Sequence, residues 1–153
     1  MHVQTAPNGS NDAPPQRELT IRFPAGLPGF EAHTSFVLVD VDPDETFRWL
    51  QSRIDERIAF LAVDPWLIAP EYEFELSDED ALKLGLGNEA PLVLCIVTVP
   101  ENAEAATANL KAPLVVSRRS GFGKQVILSD ERYSLRHPVF GGTETARAGV
   151  SRC

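Results

Sequence analysis

The connections between apolar runs constrain this chain more than any single segment does. Leu19-Thr20-Ile21-Arg22-Phe23 alternates cleanly and stops at Pro24. Phe36 to Val41 and Phe47 to Gln51 are β-rich runs separated by a turn at Asp42-Pro43-Asp44. Ile58 to Val63 and Leu92 to Val99 are almost uniformly apolar, the pattern of strands covered on both faces. Leu114 to Ser117 and Gln125 to Leu128 flank Arg118-Arg119-Ser120-Gly121-Phe122-Gly123, which predicts a hairpin. A parallel pair needs a crossover of a dozen or more residues, usually a helix, and the links here are too short. The chain is therefore expected to be all-β, a small β-barrel-like or sandwich domain of seven or eight short strands with one short helix. Ser77 caps that helix, Asp78, Glu79 and Asp80 suit the positive end of its dipole, and Gly85 or Gly87 ends it.

The 153 residues suffice for one domain with a proper core, expected over residues 18–140. Residues 1–17, with Pro7, Gly9, Pro14 and Pro15 and almost nothing to bury, read as a disordered lead-in. Residues 141–153 read as a disordered tail. Cys95 lies inside an apolar strand and Cys153 in the tail, which fits a reducing cytoplasm better than a disulfide scaffold. No secretory signal and no membrane-spanning run is visible, so a cytoplasmic protein without a membrane partner is expected.

Charge narrows the function. The net charge is -8, yet from Ser117 onward the seven Lys and Arg residues outnumber Asp130, Glu131 and Glu144. The rest of the chain is thus more acidic than the whole, and direct nucleic-acid binding there is disfavoured. The acid concentrates in Glu71-Tyr72-Glu73-Phe74-Glu75-Leu76, followed by Ser77-Asp78-Glu79-Asp80, with no Lys or Arg between. Strand alternation sends Tyr72, Phe74 and Leu76 into a core and leaves Glu71, Glu73 and Glu75 as a ridge. Such a ridge attracts basic protein surfaces and repels phosphates over about one Debye length, ~8–10 Å at physiological salt.

Signs of catalysis are scarce. His33 and His137 have no Cys or His neighbours at metal-ligand spacing, and the carboxylates lack a calcium-loop pattern. No cofactor is implied. Gly26-Leu27-Pro28-Gly29-Phe30 is not a phosphate loop, because Pro28 removes a donor and no Lys-Ser/Thr follows; it reads as a tight turn. Trp49, Trp66 and Tyr72 are aromatic residues of the kind found at interface centres, with Trp49 expected in the core. Pro100 to Ala112 is a long link with room for a short helical turn. The competing classes are a small β-barrel enzyme using ridge acids with His33 or His137, or a Cys95–His137 dyad, and an acidic mimic of nucleic acid.

Several motifs in order give the chain a recognisable profile. They are Phe23-x-x-Gly26-Leu27-Pro28-Gly29-Phe30-Glu31, Phe47-x-Trp49-Leu50-Gln51-Ser52, Ala59-Phe60 with Asp64-Pro65, and Tyr72-Glu73-x-Glu75-Leu76. Thr107-Ala108-Asn109-Leu110-x-Ala112-Pro113, Gln125-Val126-Ile127-Leu128 and Arg136-His137-Pro138 complete the set. In these the chain resembles the flagellar assembly factor FliW family from about Phe23 to Val139. Glu71 stands where Asp commonly precedes Tyr-Glu, and Ser117 where Asn is common. The resemblance implies a non-enzymatic, cytoplasmic β-barrel-like protein; a monomer when free is the default expectation. It implies two partners, flagellin and the translational regulator CsrA, the latter antagonised non-competitively so that flagellin export is coupled to flagellin translation. On motif positions, the residues expected to bind partners are Leu50, Gln51, Asp64, Trp66, Glu71, Tyr72, Glu73, Glu75 and Asn109.

Overall fold

The computed structural model describes residues 1–4, 18–41 and 47–140. Strand β1 is His2–Gln4, β2 Glu18–Arg22, β3 Ser35–Asp40, β4 Phe47–Ser52 and β5 Ala59–Val63. A four-residue helix α1 (Pro65–Ile68) leads to β6 (Glu73–Glu75) and helix α2 (Asp78–Leu84). The chain continues through β7 (Leu92–Thr98), a 3-10 turn at Ala103–Ala105, β8 (Thr107–Ala108), β9 (Leu114–Val116), β10 (Gly123–Gln125) and β11 (His137–Pro138).

The main sheet runs in the order β10-β9-β7-β5-β4-β3-β2 through antiparallel pairs, as short links require. β8 extends it beside the end of β7, and β11 beside β8. β1 and β6 form a separate antiparallel ribbon. The mainly β class is as expected, but the sheet does not close into a barrel. Its edges meet at an isolated parallel bridge between Arg22 and Phe122, where the Arg22 N–H donates to the Gly121 carbonyl at 2.8 Å.

Alternation along the strands builds two cores on the two faces of this sheet. Leu92 and Leu94 of β7 and Leu114 and Val116 of β9 point inward, to Ile21, Phe23, Phe36 and Leu50. Val93, Cys95 and Val97 of β7 and Val115 of β9 point outward, under Tyr72, Phe74, Leu76, Leu84 and Leu86. β7 is covered on both faces, as its apolar run predicts.

Helix α2 follows its sequence signals closely. The Ser77 hydroxyl accepts from the Asp80 N–H at 3.1 Å, and Gly85 ends the helix at φ 72. Three carboxylates in the first turn and Lys83 in the last complement the helix dipole. Gly26 makes the turn after β2 at φ +71, and a Cβ there would lie 2.6 Å from the Glu31 backbone. Only glycine fits without distortion. No helix among the described residues is long and apolar enough to cross a membrane.

Several expectations are corrected. Residues 2–4 are strand rather than disordered lead-in, because Val3 is buried in the outer core and pairs with Phe74. Residues 5–17, the turn at 42–46 and the tail 141–153, including Cys153, lie outside the described residues. Helix α1 is a second helix, nucleated where Asp64 caps and Pro65 opens it. The Pro100–Ala112 link holds the expected helical turn but also β8. The hairpin ladder is Gly123–Gln125 rather than Gln125–Leu128; beyond it Val126 and Leu128 bond to Pro113 and Lys111 outside any ladder. Trp49, expected in the core, is 43% exposed, because Arg48, Leu50 and Ser52 take the inward face of β4.

An apolar groove as the candidate functional site

The turn after β2 starts the site. Gly26 reverses the chain so that Leu27 and Phe30 bridge each other, burying Leu27 and leaving Pro28 at the surface. Phe30 packs edge-on against Phe60 of β5 at 5.2 Å between ring centroids. That contact holds Phe60 beside Ile96 on the inward side of the sheet, where both are half-buried.

Opposite stands the turn that carries the chain from β8 to β9. The Asn109 side-chain oxygen accepts from the N–H groups of Lys111 and Ala112, each at 3.0 Å. The Gln125 amide then donates to the Ala112 carbonyl at 3.1 Å, so two carboxamides brace one turn. Between these walls lies a groove of about 320 Å³. Its rim is Ile127, 69% exposed, and Leu135, 62% exposed. None of the residues lining it is ionisable. The Asn109 amide nitrogen and the Gln125 side-chain oxygen have no bond among the described residues. The groove can take apolar side chains and exchange hydrogen bonds with a backbone, and it holds no acid or base.

Of the residues expected to bind partners, Asn109 alone lines this groove. Leu50 is wholly buried in the inner core, and Tyr72 is buried with its hydroxyl donating to the Leu110 carbonyl at 2.7 Å. Both are core residues of the fold, and neither side chain reaches its surface. Gln51 is half-buried and bonds the Ile58 carbonyl across the β4–β5 hairpin at 3.1 Å. Asp64 caps α1, and the Trp66 indole N–H donates to the Tyr72 carbonyl at 2.8 Å. These three stay partly accessible while holding local structure.

The acidic ridge is present but partly neutralised. Glu71 and Glu75 are exposed and Glu73 is half-buried. The His2 ring bonds both Glu75 and Glu73, and these two bonds, Glu75 first, raise its pKa above the ordinary histidine value. Arg132 lies 3.6 Å from Glu73 and is held more tightly by Asp130 at 2.7 Å. A histidine from β1 and an arginine from the segment before β11 therefore answer an uninterrupted run of acids in sequence.

The groups proposed for catalysis are otherwise occupied. Burial pushes the Cys95 thiol well up, away from the thiolate a nucleophile needs. A His137 ring nitrogen lies 3.3 Å from the Ile68 carbonyl, and His33 bonds the Ser52 hydroxyl at 2.8 Å. Among the described residues no three His, Cys, Asp or Glu side chains are placed to hold a metal ion. Ser117, at the position where Asn is common in the pattern, is buried and accepts from the Ser120 N–H at 3.1 Å, a turn-bracing task either side chain can do.

Sequence reasoning missed Leu27, Phe60, Ile96, Gln125, Ile127 and Leu135 as site residues. The signal was there in another form. Leu27, Phe60, Asn109 and Gln125 each come from a different motif of the ordered set, and Leu135 directly precedes Arg136-His137-Pro138.

Comparison with known proteins agrees with this. A family profile described as FliW protein matches residues 3–139. The flagellar assembly factor FliW of Desulfitobacterium hafniense (strain Y51) is 40% identical over 153 residues, covering 97% of this chain and 99% of its own length. That of Bacillus subtilis (strain 168) is 38% identical over 127 residues, 82% of this chain and 89% of its own. A solved crystal structure of the flagellar assembly factor FliW superimposes with a TM-score of 0.71 at 34% identity, over 79% of this chain and 85% of that one. Every residue lining the groove falls within the matched span, and the chain belongs to the FliW family of flagellar assembly factors.

Proposed function

We propose that this chain is a cytoplasmic, non-enzymatic regulator that binds flagellin and antagonises the translational regulator CsrA non-competitively, coupling flagellin export to flagellin translation. The observation that carries this reading is the groove, which is apolar, free of ionisable lining, and lies wholly within the span that matches an assembly-factor family. Such a surface suits an apolar segment of an unassembled protein subunit and gives no support to acid–base chemistry. The ridge supports the regulatory half. With Glu75 and Glu73 both bonded to His2 and Glu73 also 3.6 Å from Arg132, the field a neighbouring RNA groove would meet is led by Glu71, which is exposed and makes no ion pair among the described residues.

Titration calorimetry of the chain against the flagellin and the CsrA of its own organism tests the reading. Binding to both is expected, with Leu135→Glu weakening one of them at least tenfold while the circular dichroism spectrum is unchanged. Binding of the unaltered chain to neither protein refutes the proposal.

A further inference from the structure

A second apolar surface lies on the other side of the sheet from the groove. Along β5, Phe60 faces the groove and its neighbour Leu61 faces away. Register places Leu61 beside Trp49, and Trp49 beside Val39, in one row across β5, β4 and β3. Val39 and Leu61 are half-buried, Trp49 is 43% exposed, and Val99, on the same face one step past β7, is 51% exposed. Leu61 at one end of the row packs against the outer core, whereas Trp49 and Val39 belong to neither core; a part-exposed tryptophan beside such apolar neighbours marks an interaction surface.

Charge says what it would meet. Arg22 of β2 pairs with Ser35, and the Arg53 N–H donates to the Ser35 carbonyl at 2.9 Å. The two arginines therefore flank Ser35, four residues or about 13 Å along β3 from the Trp49 row. The Arg53 guanidinium reaches Thr20 on this face at 3.4 Å. Both arginines are exposed, and neither makes an ion pair among the described residues, in a chain of net charge -8.

We infer that this face docks a protein segment whose apolar stripe ends in a run of carboxylate residues, the stripe set against Trp49 and the carboxylates against the Arg22–Arg53 pair. Because it lies across the sheet from the groove, a partner here does not occupy the groove. Segments 5–17 and 141–153 of the chain hold too few apolar residues to cover it, and a second copy would set one net charge of -8 against another.

The test uses nitrogen-15 spectra of the unmodified chain and two synthetic 18-residue helical peptides. Both carry a leucine stripe; one ends in three Glu and the other in three Lys. The Glu peptide should shift the Trp49 indole and the Val39 and Leu61 amides, leave Ile127 and Leu135 unmoved, and bind at least tenfold tighter than the Lys peptide. Arg22→Glu with Arg53→Glu should reverse that preference. Equal affinity for the two peptides, shifts confined to the groove, or an unmoved Trp49 indole with both would overturn the inference. So would a dimer in sedimentation that Trp49→Ser abolishes, or a Trp49 shift on deleting residues 141–153, each of which names a different occupant.

Discussion

β7 and β4 are strands of one sheet with similar ladders, yet they do different work. β7 sends Leu92 and Leu94 to one core and Val93, Cys95 and Val97 to the other. β4 buries Leu50 on its inward side and leaves Trp49, on its outward side, 43% exposed and outside both cores. The difference lies in what packs above: Leu84 of α2, Val3 and Phe74 of the β1–β6 ribbon, and Tyr72 lie in one buried cluster with Val93, Cys95 and Val97 of β7, a cluster that takes in only the Phe47 end of β4 and not Trp49. Hydrogen bonding alone does not decide where a sheet is stable. Cover does.

The largest effect is expected at β7. Leu94→Ala should cost about 3 kcal/mol in urea denaturation, through lost transfer energy and the cavity left behind. A loss within experimental error would mean β7 is not the doubly packed strand described. Above it, Tyr72→Phe removes the hydroxyl that serves the buried Leu110 carbonyl and should cost about 1 kcal/mol, read from the same transition. At β4, Trp49→Ser should change stability by no more than about 0.5 kcal/mol. A cost near that of Leu94→Ala would show that the face is covered in solution.

The smallest effect is at the margin of the cover, where His2 joins β1 to Glu75 and Glu73. The folded pKa of His2 is raised above its ordinary value of 6.5. Its contribution is therefore complete below about pH 6.5 and is lost as pH rises through the folded pKa. Hydrogen exchange at Val3, corrected for intrinsic base catalysis, should quicken across that window in the unaltered chain and not in His2→Gln. Identical profiles for the two proteins would remove His2 from any role in holding the ribbon.

Strands were legible wherever burial on both faces left no choice. Leu92 to Val99 reads as a doubly covered strand because no polar residue interrupts it until Thr98. Phe47-Arg48-Trp49-Leu50-Gln51-Ser52 is different, since either alternating set mixes apolar with polar side chains. Its orientation is settled by Phe36 and Leu38 across the ladder, which draw Leu50 inward, and by Asp40, 3.4 Å from Arg48. Strand β1 was invisible for a similar reason, because one valine among His2, Val3 and Gln4 makes no period. The groove escaped because it joins residues between Leu27 and Leu135, and spacing along a chain cannot report such convergence. The acids of the ridge were read correctly as a run; their partners, His2 and Arg132, lie about 70 and 60 positions away.

The bridge between Arg22 and Phe122 has a temporal side. Antiparallel neighbours from β2 to β5 can pair as soon as they leave the ribosome, since each lies a short loop from the next. The seam has to wait for a residue 100 positions later than its first half. It closes the longest loop of the main sheet through one isolated backbone bridge with the inner core packed beneath it, which makes it a late event in folding. A newly made chain therefore passes through a stage in which its inner core is roofed on one side only, and residues around 122 are what end it.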